Sequence, residues 1–289
     1  MSKIIIDENI LQIPSDRIGV DMGQTLSKIA YFESNELSFF SFPTQNSVLK
    51  IEEFLNSKKA IVESFNFTGG KSFNLYKAYS KDIKTKIVNE FEANVKGIEL
   101  LYKIEKSKEP PRALIVTIGT GTSIVLNDEK YTHLGGSALG GGFFMGLINA
   151  LYNLKDYQEA LNLARKGNRY NVDLKVSDIY SPEDNRVDLL FREFTAASLG
   201  KISSEFNITS SNKEDFINSV ICLIGENLGI IATLIADNNN VSNIVFCGGF
   251  LKENKILKKI LSLLCKVNKK KAIFLKNSEF CAAFGALLI

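Results

Sequence analysis

Gly119-Thr120-Gly121-Thr122-Ser123 and, after ten intervening residues, Leu134-Gly135-Gly136-Ser137-Ala138-Leu139-Gly140-Gly141-Gly142 are of the types that hold an anion. Glycine reaches positive φ and lets main-chain N–H groups approach a phosphate that a Cβ would keep away. The apolar run from Ala113 to Ile118 leads into the first cluster as a strand, and Phe143 to Leu151 follows the second as a helix whose positive end adds to the cradle. A second turn of this kind lies near the N-terminus, in Asp21-Met22-Gly23-Gln24-Thr25-Leu26-Ser27-Lys28. Here a carboxylate could hold magnesium, Gly23 admits the backbone, Thr25 offers a hydroxyl and Lys28 a point charge, which together suit phosphoryl transfer. A third turn, Gly248-Gly249, follows the apolar run Asn243 to Cys247. Thr68-Gly69-Gly70 also ends a strand-like run, where it serves either as a cleft-facing loop or as an ordinary one. Any one of these clusters alone is also what a tight turn looks like.

Acid and base candidates are less sharply marked. Ile83, Ile87, Phe91, Val95, Ile98 and Leu101 recur at steps of three and four, which predicts one long amphipathic helix over Lys81 to Glu105, or a loop running into one. Glu90, Glu92 and Glu99 lie off that stripe, and the pattern does not choose among them. His133 is the single histidine.

The elements that must position these groups follow from apolar runs and punctuation. Arg17 to Asp21 and Ile29 to Phe32 read as a hairpin, Leu37 to Phe42 as a third strand, Ser47 to Leu55 as a helix and Ala60 to Phe65 as a strand. Ser123 to Leu126 and Tyr131 to Leu134 flank an Asn127-Asp128 turn. Helices are expected over Asp156 to Lys166, from Phe194 with Thr195 as its cap, over Asn212 to Asp237, over Asn254 to Leu264 and over Glu279 to Leu288. Asp173 to Tyr180 reads as a strand or short helical turn, and Ala272 to Leu275 as a strand. Lys106-Ser107-Lys108-Glu109-Pro110-Pro111 combines charge with a proline pair and marks a domain boundary, giving lobes over 1–110 and 111–289.

Composition narrows the function classes. With 289 residues and 45% hydrophobic content the chain can bury a large core, and a net charge of +3 implies no nucleic-acid partner. The basic run Lys266 to Lys271 reads as a solvated helix end. Cys222, Cys247, Cys265 and Cys281 are widely spaced, which points to reduced thiols in a cytoplasmic protein and away from a zinc or iron–sulfur site. The apolar patch after Lys3 is broken by Asp7 and Glu8, and the apolar stretch Phe216 to Ala236 carries Asn218, Glu226 and Asn227, so no signal peptide and no membrane span is expected. No Gly-x-x-x-x-Gly-Lys-Ser/Thr run occurs, and no Gly-x-Gly-x-x-Gly follows the first strand. Three strand-to-glycine turns instead suggest an α/β protein that binds a nucleotide between two lobes.

On these residues the chain resembles the type II pantothenate kinases, within the superfamily of acetate and sugar kinases, Hsp70 and actin. The resemblance rests on Gly19 to Thr25 with Lys28, Asn89-Glu90-Phe91-Glu92-Ala93, Ile118 to Ser123, Gly135 to Gly142, Val172 to Tyr180, Thr195-Ala196-Ala197 and Ala282 to Leu287. It implies a two-lobed actin-like, ribonuclease H-like fold with duplicated mixed β-sheets and flanking helices. It also implies a homodimer, ATP and Mg2+ in the cleft, phosphorylation of the 4′-hydroxyl of pantothenate, and coenzyme A or an acyl-CoA as a possible feedback ligand. Residue by residue, it implies Glu90 as the catalytic base and Gly23 and Lys28 at the ATP phosphates. Asp21 goes to the metal, and Gln24, Thr25, Gly119, Thr120, Gly121, Gly140, Gly141 and Gly142 to the nucleotide. Gly248 and Gly249 fall on the adenosine side, and Thr120 and Ser123 at substrate or phosphate. One position departs: His133 stands where the family usually has an arginine that would serve the substrate and the chemistry. Three readings therefore remain open: pantothenate kinase, a kinase of the same fold with another hydroxyl acceptor, or a nucleotide- or acyl-CoA-binding regulator.

Overall fold

A computed structural model describes residues 1–7, 11–46, 48–186, 192–202 and 213–289. Glu8, Ser47 and Asn212, which figured in the expectations above, lie outside the described residues.

The first half begins with β1 (Ser2–Ile5), β2 (Arg17–Met22), β3 (Leu26–Glu33) and β4 (Glu36–Pro43). It continues through α1 (Val48–Lys58), β5 (Ser64–Thr68), α2 (Phe73–Tyr79), β6 (Lys84–Ile87) and α3 (Glu90–Lys106). Its six strands pair in the order β1-β4-β3-β2-β5-β6. From β1 to β2 the pairing is antiparallel, and β2-β5 and β5-β6 are parallel. β2 and β5 are buried along nearly their whole length, as strands covered on both faces must be.

The second half repeats the plan. β7 (Ala113–Ile118), β8 (Thr122–Asn127) and β9 (Tyr131–Ser137) form an antiparallel meander followed by α4 (Gly141–Tyr152) and α5 (Tyr157–Ala164). A two-stranded sheet of β10 (Leu174–Lys175) and β11 (Thr195–Ala197) precedes the long α6 (Lys213–Asn238). β12 (Asn243–Cys247), α7 (Lys255–Val267), β13 (Lys271–Phe274) and α8 (Cys281–Leu288) close the chain. The five-stranded order is β13-β12-β7-β8-β9, with β12 parallel to both its neighbours. Each sheet is thus a three-stranded meander plus two parallel strands, with β1 added at the edge of the first, and β2, β5, β6 and α3 occupy the same stations as β7, β12, β13 and α8. By length and composition α6 could cross a membrane, yet it is largely buried and packs against α5, α7 and the second sheet.

Two expectations are corrected. The helix predicted over Lys81 to Glu105 begins only at Glu90, because Lys84–Ile87 joins the sheet as an edge strand beside β5. Ile87 fits the helical stripe but is 43% exposed, so its place in the period was a coincidence that strand pairing overrode. Thr195 does not cap a helix; it pairs with Lys175 in a short antiparallel ladder.

The equivalent helices α3 and α8 meet backbone to backbone between the sheets. A Cβ on Gly97 would lie 1.8 Å from the Cys281 carbonyl oxygen, and one on Gly285 would lie 1.8 Å from that of Ala93. Only a backbone shift could relieve either clash. Gly97→Ala or Gly285→Ala is therefore expected to destabilise the fold by about 3 kcal/mol, which lowers the thermal midpoint by roughly 6–12 °C. Circular dichroism melting checks this against Gly146→Ala, a helical site with nothing within 4 Å of the added methyl, where no loss is expected.

Candidate active site

The β2–β3 hairpin pairs Asp21 directly opposite Lys28. Cross-strand partners on one face have Cβ atoms within about 5.5 Å, so register alone brings the two side chains together. Lys28 Nζ donates to Asp21 Oδ2 at 2.8 Å, and both groups are nearly shut off from bulk water. Burial opposes the charge on Lys28, but its attraction and hydrogen bond to Asp21 outweigh that cost and raise its pKa. The turn is closed by Gly23 N–H donating to the Leu26 carbonyl at 3.1 Å.

The corresponding turn of the second half, Gly119 to Gly121 after β7, reaches the first across the interlobe space: the hydroxyls of Thr25 and Thr120 are 3.2 Å apart. The amides of Gly141 and Gly142 donate to the carbonyls of Gly119 and Thr120 at 2.8 and 2.9 Å. The glycine run is of the type expected to cradle an anion. The structure gives it a packing task, since a Cβ on Gly142 would fall 2.5 Å from Thr120 Cγ2 and one on Gly140 2.7 Å from the Thr120 carbonyl oxygen. Gly248, at φ +105°, brings the turn after β12 against the end of β7, where a Cβ would sit 2.5 Å from the Ile118 carbonyl oxygen.

Glu90 is the first residue of α3, whose N-terminus is capped by Asn89 accepting from the Phe91 and Glu92 amides at 2.9 and 3.4 Å. It opens onto the same cavity of about 920 Å³ as Asp21, Gly23, Gln24, Thr25, Lys28, Gly119, Thr120, Gly121, Ser123, Gly141, Gly142, Gly248 and Gly249. Its carboxyl remains accessible from the cleft. The enclosing walls, and then the charge on Asp21, push its pKa above the usual carboxylate range, partly offset by Lys28. Glu92 and Glu99, the other acids off the stripe, line a separate surface groove.

Two expected residues stand apart from the cavity wall. Gly140 is behind it, under the Thr120 carbonyl. His133 projects from β9 on an exposed position and stacks on Phe91 at 4.1 Å between centroids and 10° between planes, so it backs a cleft residue without itself lining the cleft. Asp173 to Val176 are likewise not on the cavity wall: Asp173 is fully buried, accepts from Ser219 of α6 and from the Leu199 amide, and pairs with Arg169.

Several wall residues carried no signal in the sequence. Tyr157 donates its hydroxyl to the Phe250 carbonyl at 2.7 Å, and the two rings form an aromatic wall beside Gly249. Lys71 follows the Gly69-Gly70 turn into the cavity. Cys247 and Cys281, 34 positions apart in the sequence, are hydrogen-bonding neighbours at the ends of β12 and the start of α8, both as free thiols. Cys281 also donates to Asn94 at 2.8 Å, and its pKa is held well above the ordinary thiol value by Cys247 and by burial.

The family model described as Fumble matches residues 17–289. Among curated proteins, the type II pantothenate kinase of Bacillus cereus (strain ATCC 10987 / NRS 248) is 36% identical over 281 residues, covering 94% of this chain and 96% of its own. That of Oceanobacillus iheyensis is 32% identical over 278 residues, covering 94% and 98%. Among solved structures, a ROK family glucokinase from Streptomyces griseus in complex with glucose and AMPPNP aligns with a TM-score of 0.52 at 13% identity, covering 94% of this chain and 97% of its own. The ethanolamine utilization protein EutJ from Carboxydothermus hydrogenoformans aligns with a TM-score of 0.54 at 12% identity, covering 98% and 92%. These likenesses show the fold, two actin-like lobes with duplicated mixed sheets and flanking helices.

Proposed function

This chain belongs to the Fumble family, whose similar bacterial members are type II pantothenate kinases, and we propose that it transfers the γ-phosphoryl group of ATP to the 4′-hydroxyl of pantothenate. The observation that carries the reading is the meeting of Thr25 and Thr120 across a cavity that also holds Asp21, Lys28 and Glu90. The triphosphate lies between the two turns, with the adenosine towards Gly248, Gly249 and the Tyr157–Phe250 wall. The acceptor hydroxyl faces Glu90 and contacts Thr120 and Ser123.

In the transfer, the hydroxyl oxygen attacks the γ-phosphorus while the Glu90 carboxylate takes its proton, and ADP departs. A carboxylate whose pKa is raised is a stronger base than an ordinary one. Lys28, pinned by Asp21, presents a fixed positive charge to the transferring group without having to reorganise. Among the described residues no cluster of three or more metal-ligating side chains occurs. Magnesium needs none, because it is commonly held by one or two carboxylates with phosphates and water. Asp21 fits that role: it lines the cavity, and Lys28 takes its Oδ2, so that Oδ1 is the oxygen to offer an ion. When bound there, the ion would neutralise charge on the phosphate oxygens.

The proposal extends to a homodimer in the cytoplasm, with coenzyme A or an acyl-CoA as a feedback ligand. Ile230 and Leu234, 47% and 63% exposed on α6, are apolar surface that a second copy would cover. An assay of ATP consumption over pantothenate, pantetheine and pantoate tests the acceptor. Turnover with pantothenate is expected; turnover only with another alcohol moves the acceptor, and nucleotide binding with no turnover favours a regulator. Because His133 stands behind Phe91, His133→Arg is expected to change pantothenate kcat/KM by less than about tenfold. A larger gain in the same assay would mean that this position reaches the substrate.

A further inference from the structure

The order β2-β5-β6 sets the C-terminal ends of three parallel strands side by side. The first carries Asp21 next to its last residue, the second runs into Gly69-Gly70-Lys71, and the third leads through Val88 and Asn89 to Glu90. Adjacent strands lie about 4.8 Å apart, so the 69–71 turn occupies the space between the Asp21–Lys28 pair and the candidate base. That edge of a parallel sheet is where ligands collect in α/β folds.

The turn is held in place by its own hydrogen bonds. The Lys71 amide donates to the Met22 carbonyl at 3.0 Å, which ties it to the strand that carries Asp21. The Ser72 amide and hydroxyl both donate to the Gly69 carbonyl, at 3.1 and 2.7 Å. Gly69 adopts φ +86°, and no side chain could be borne there without striking Met22 and the Asp21 carboxylate. A left-handed residue placed against a catalytic carboxylate is a constraint that a solvent loop has no need of. What the arrangement achieves is to bring the Lys71 backbone to the cavity wall.

Charge completes the case. The cations lining the cavity are Lys28, Lys71 and Lys252. Lys28 is bound to Asp21 at 2.8 Å, and Lys252 faces Glu279 at 3.8 Å. Among the described residues Lys71 alone of the three makes no ion pair, and it is an exposed residue of the cavity wall. A hydroxy acid entering with its alcohol towards Glu90 brings a carboxylate that requires a partner once it leaves water.

We propose that Lys71 binds the carboxylate of the acceptor, and so selects acidic over neutral alcohols. The inference rests on the reading of the acceptor as pantothenate, and deepens it. An ammonium on a flexible stem can follow such a carboxylate over several ångströms.

The test compares pantothenate with its neutral primary amide in steady-state kinetics of the wild type, Lys71→Ala and Lys71→Arg. Lys71→Ala is expected to raise the KM for pantothenate about 10- to 100-fold, as loss of a charged hydrogen bond does. The KM values for the amide and for ATP should stay within about twofold, and Lys71→Arg should recover most of the loss. An equal rise for both acceptors, a rise in the KM for ATP, or no rise at all would overturn the assignment. A wild type inactive with both acceptors would instead remove the pantothenate reading, and the role of Lys71 with it.

Discussion

Glu90→Gln lowers the rate of phosphoryl transfer about 10²- to 10⁴-fold, the range for loss of a positioned general base. The amide keeps the shape of the side chain and the Asn89 cap, so ATP binding, which the two glycine turns govern, should change little. Loss in kcat with an unaltered KM for ATP is the signature of a group that acts in the transition state. The pH profile gives a second check. A base works only when ionised, so wild-type activity rises with pH through the pKa of Glu90. Enclosure and Asp21 hold that pKa above its ordinary value of 4.5. The acid limb of kcat/KM therefore lies above pH 4.5 and disappears in Glu90→Gln.

Lys28→Ala has the second largest effect, because it acts on stability and chemistry together. Removing the lysine leaves Asp21, only 4% exposed, as an unpaired carboxylate. Breaking one side of a buried pair costs about 3–5 kcal/mol, measurable by urea titration. The pKa of Lys28 is raised in the folded state, so what its titration contributes to stability is fully present below the unfolded-state value of 10.5. That contribution is lost only as the solution becomes more alkaline than the raised folded value, and the deficit of the variant should therefore be constant through the neutral range. The same charge stabilises the transferring phosphoryl group, and its loss should reduce kcat/KM for ATP by about 10²-fold or more. Lys28 also holds down the pKa of Glu90, so the acid limb of Lys28→Ala should move to higher pH. Sodium chloride cannot replace a charge fixed by strand register, and added salt should not rescue the variant.

Legibility in the sequence followed how local each constraint is. That Asp21 and Lys28 share one turn between two apolar runs was readable; that they stand opposite each other and pair was not, because the strands run further into that stretch, to Met22 and from Leu26, than the apolar residues mark. The strand-to-glycine turns at Gly119 and Gly248 were readable from the apolar runs that lead into them. Glu90 could not be picked from Glu92 and Glu99 by pattern, since the helical period ran unbroken through residues that β5 recruits as a strand. The triple glycine was visible, but its main physical task was not: Gly140 and Gly142 allow α4 to close on the turn below, a contact between segments that the sequence does not join. The α3–α8 crossing at Gly97 and Gly285 arises because the two halves place equivalent elements face to face, and Cys247 meets Cys281 because α8 starts beside the end of β12. Such pairings depend on how distant elements dock, and no window of sequence contains them. Lys71 and Tyr157 belong to this class as well, being ordinary residues of a loop and a helix until the cavity forms around them.

A crystal structure with AMPPNP, magnesium and pantothenate bound is the most direct measurement. The triphosphate should lie between the 23–25 and 119–121 turns, with the 4′-hydroxyl oxygen within hydrogen-bonding distance of a Glu90 carboxylate oxygen. A nucleotide seated away from those turns, or a hydroxyl turned from Glu90, would contradict the account.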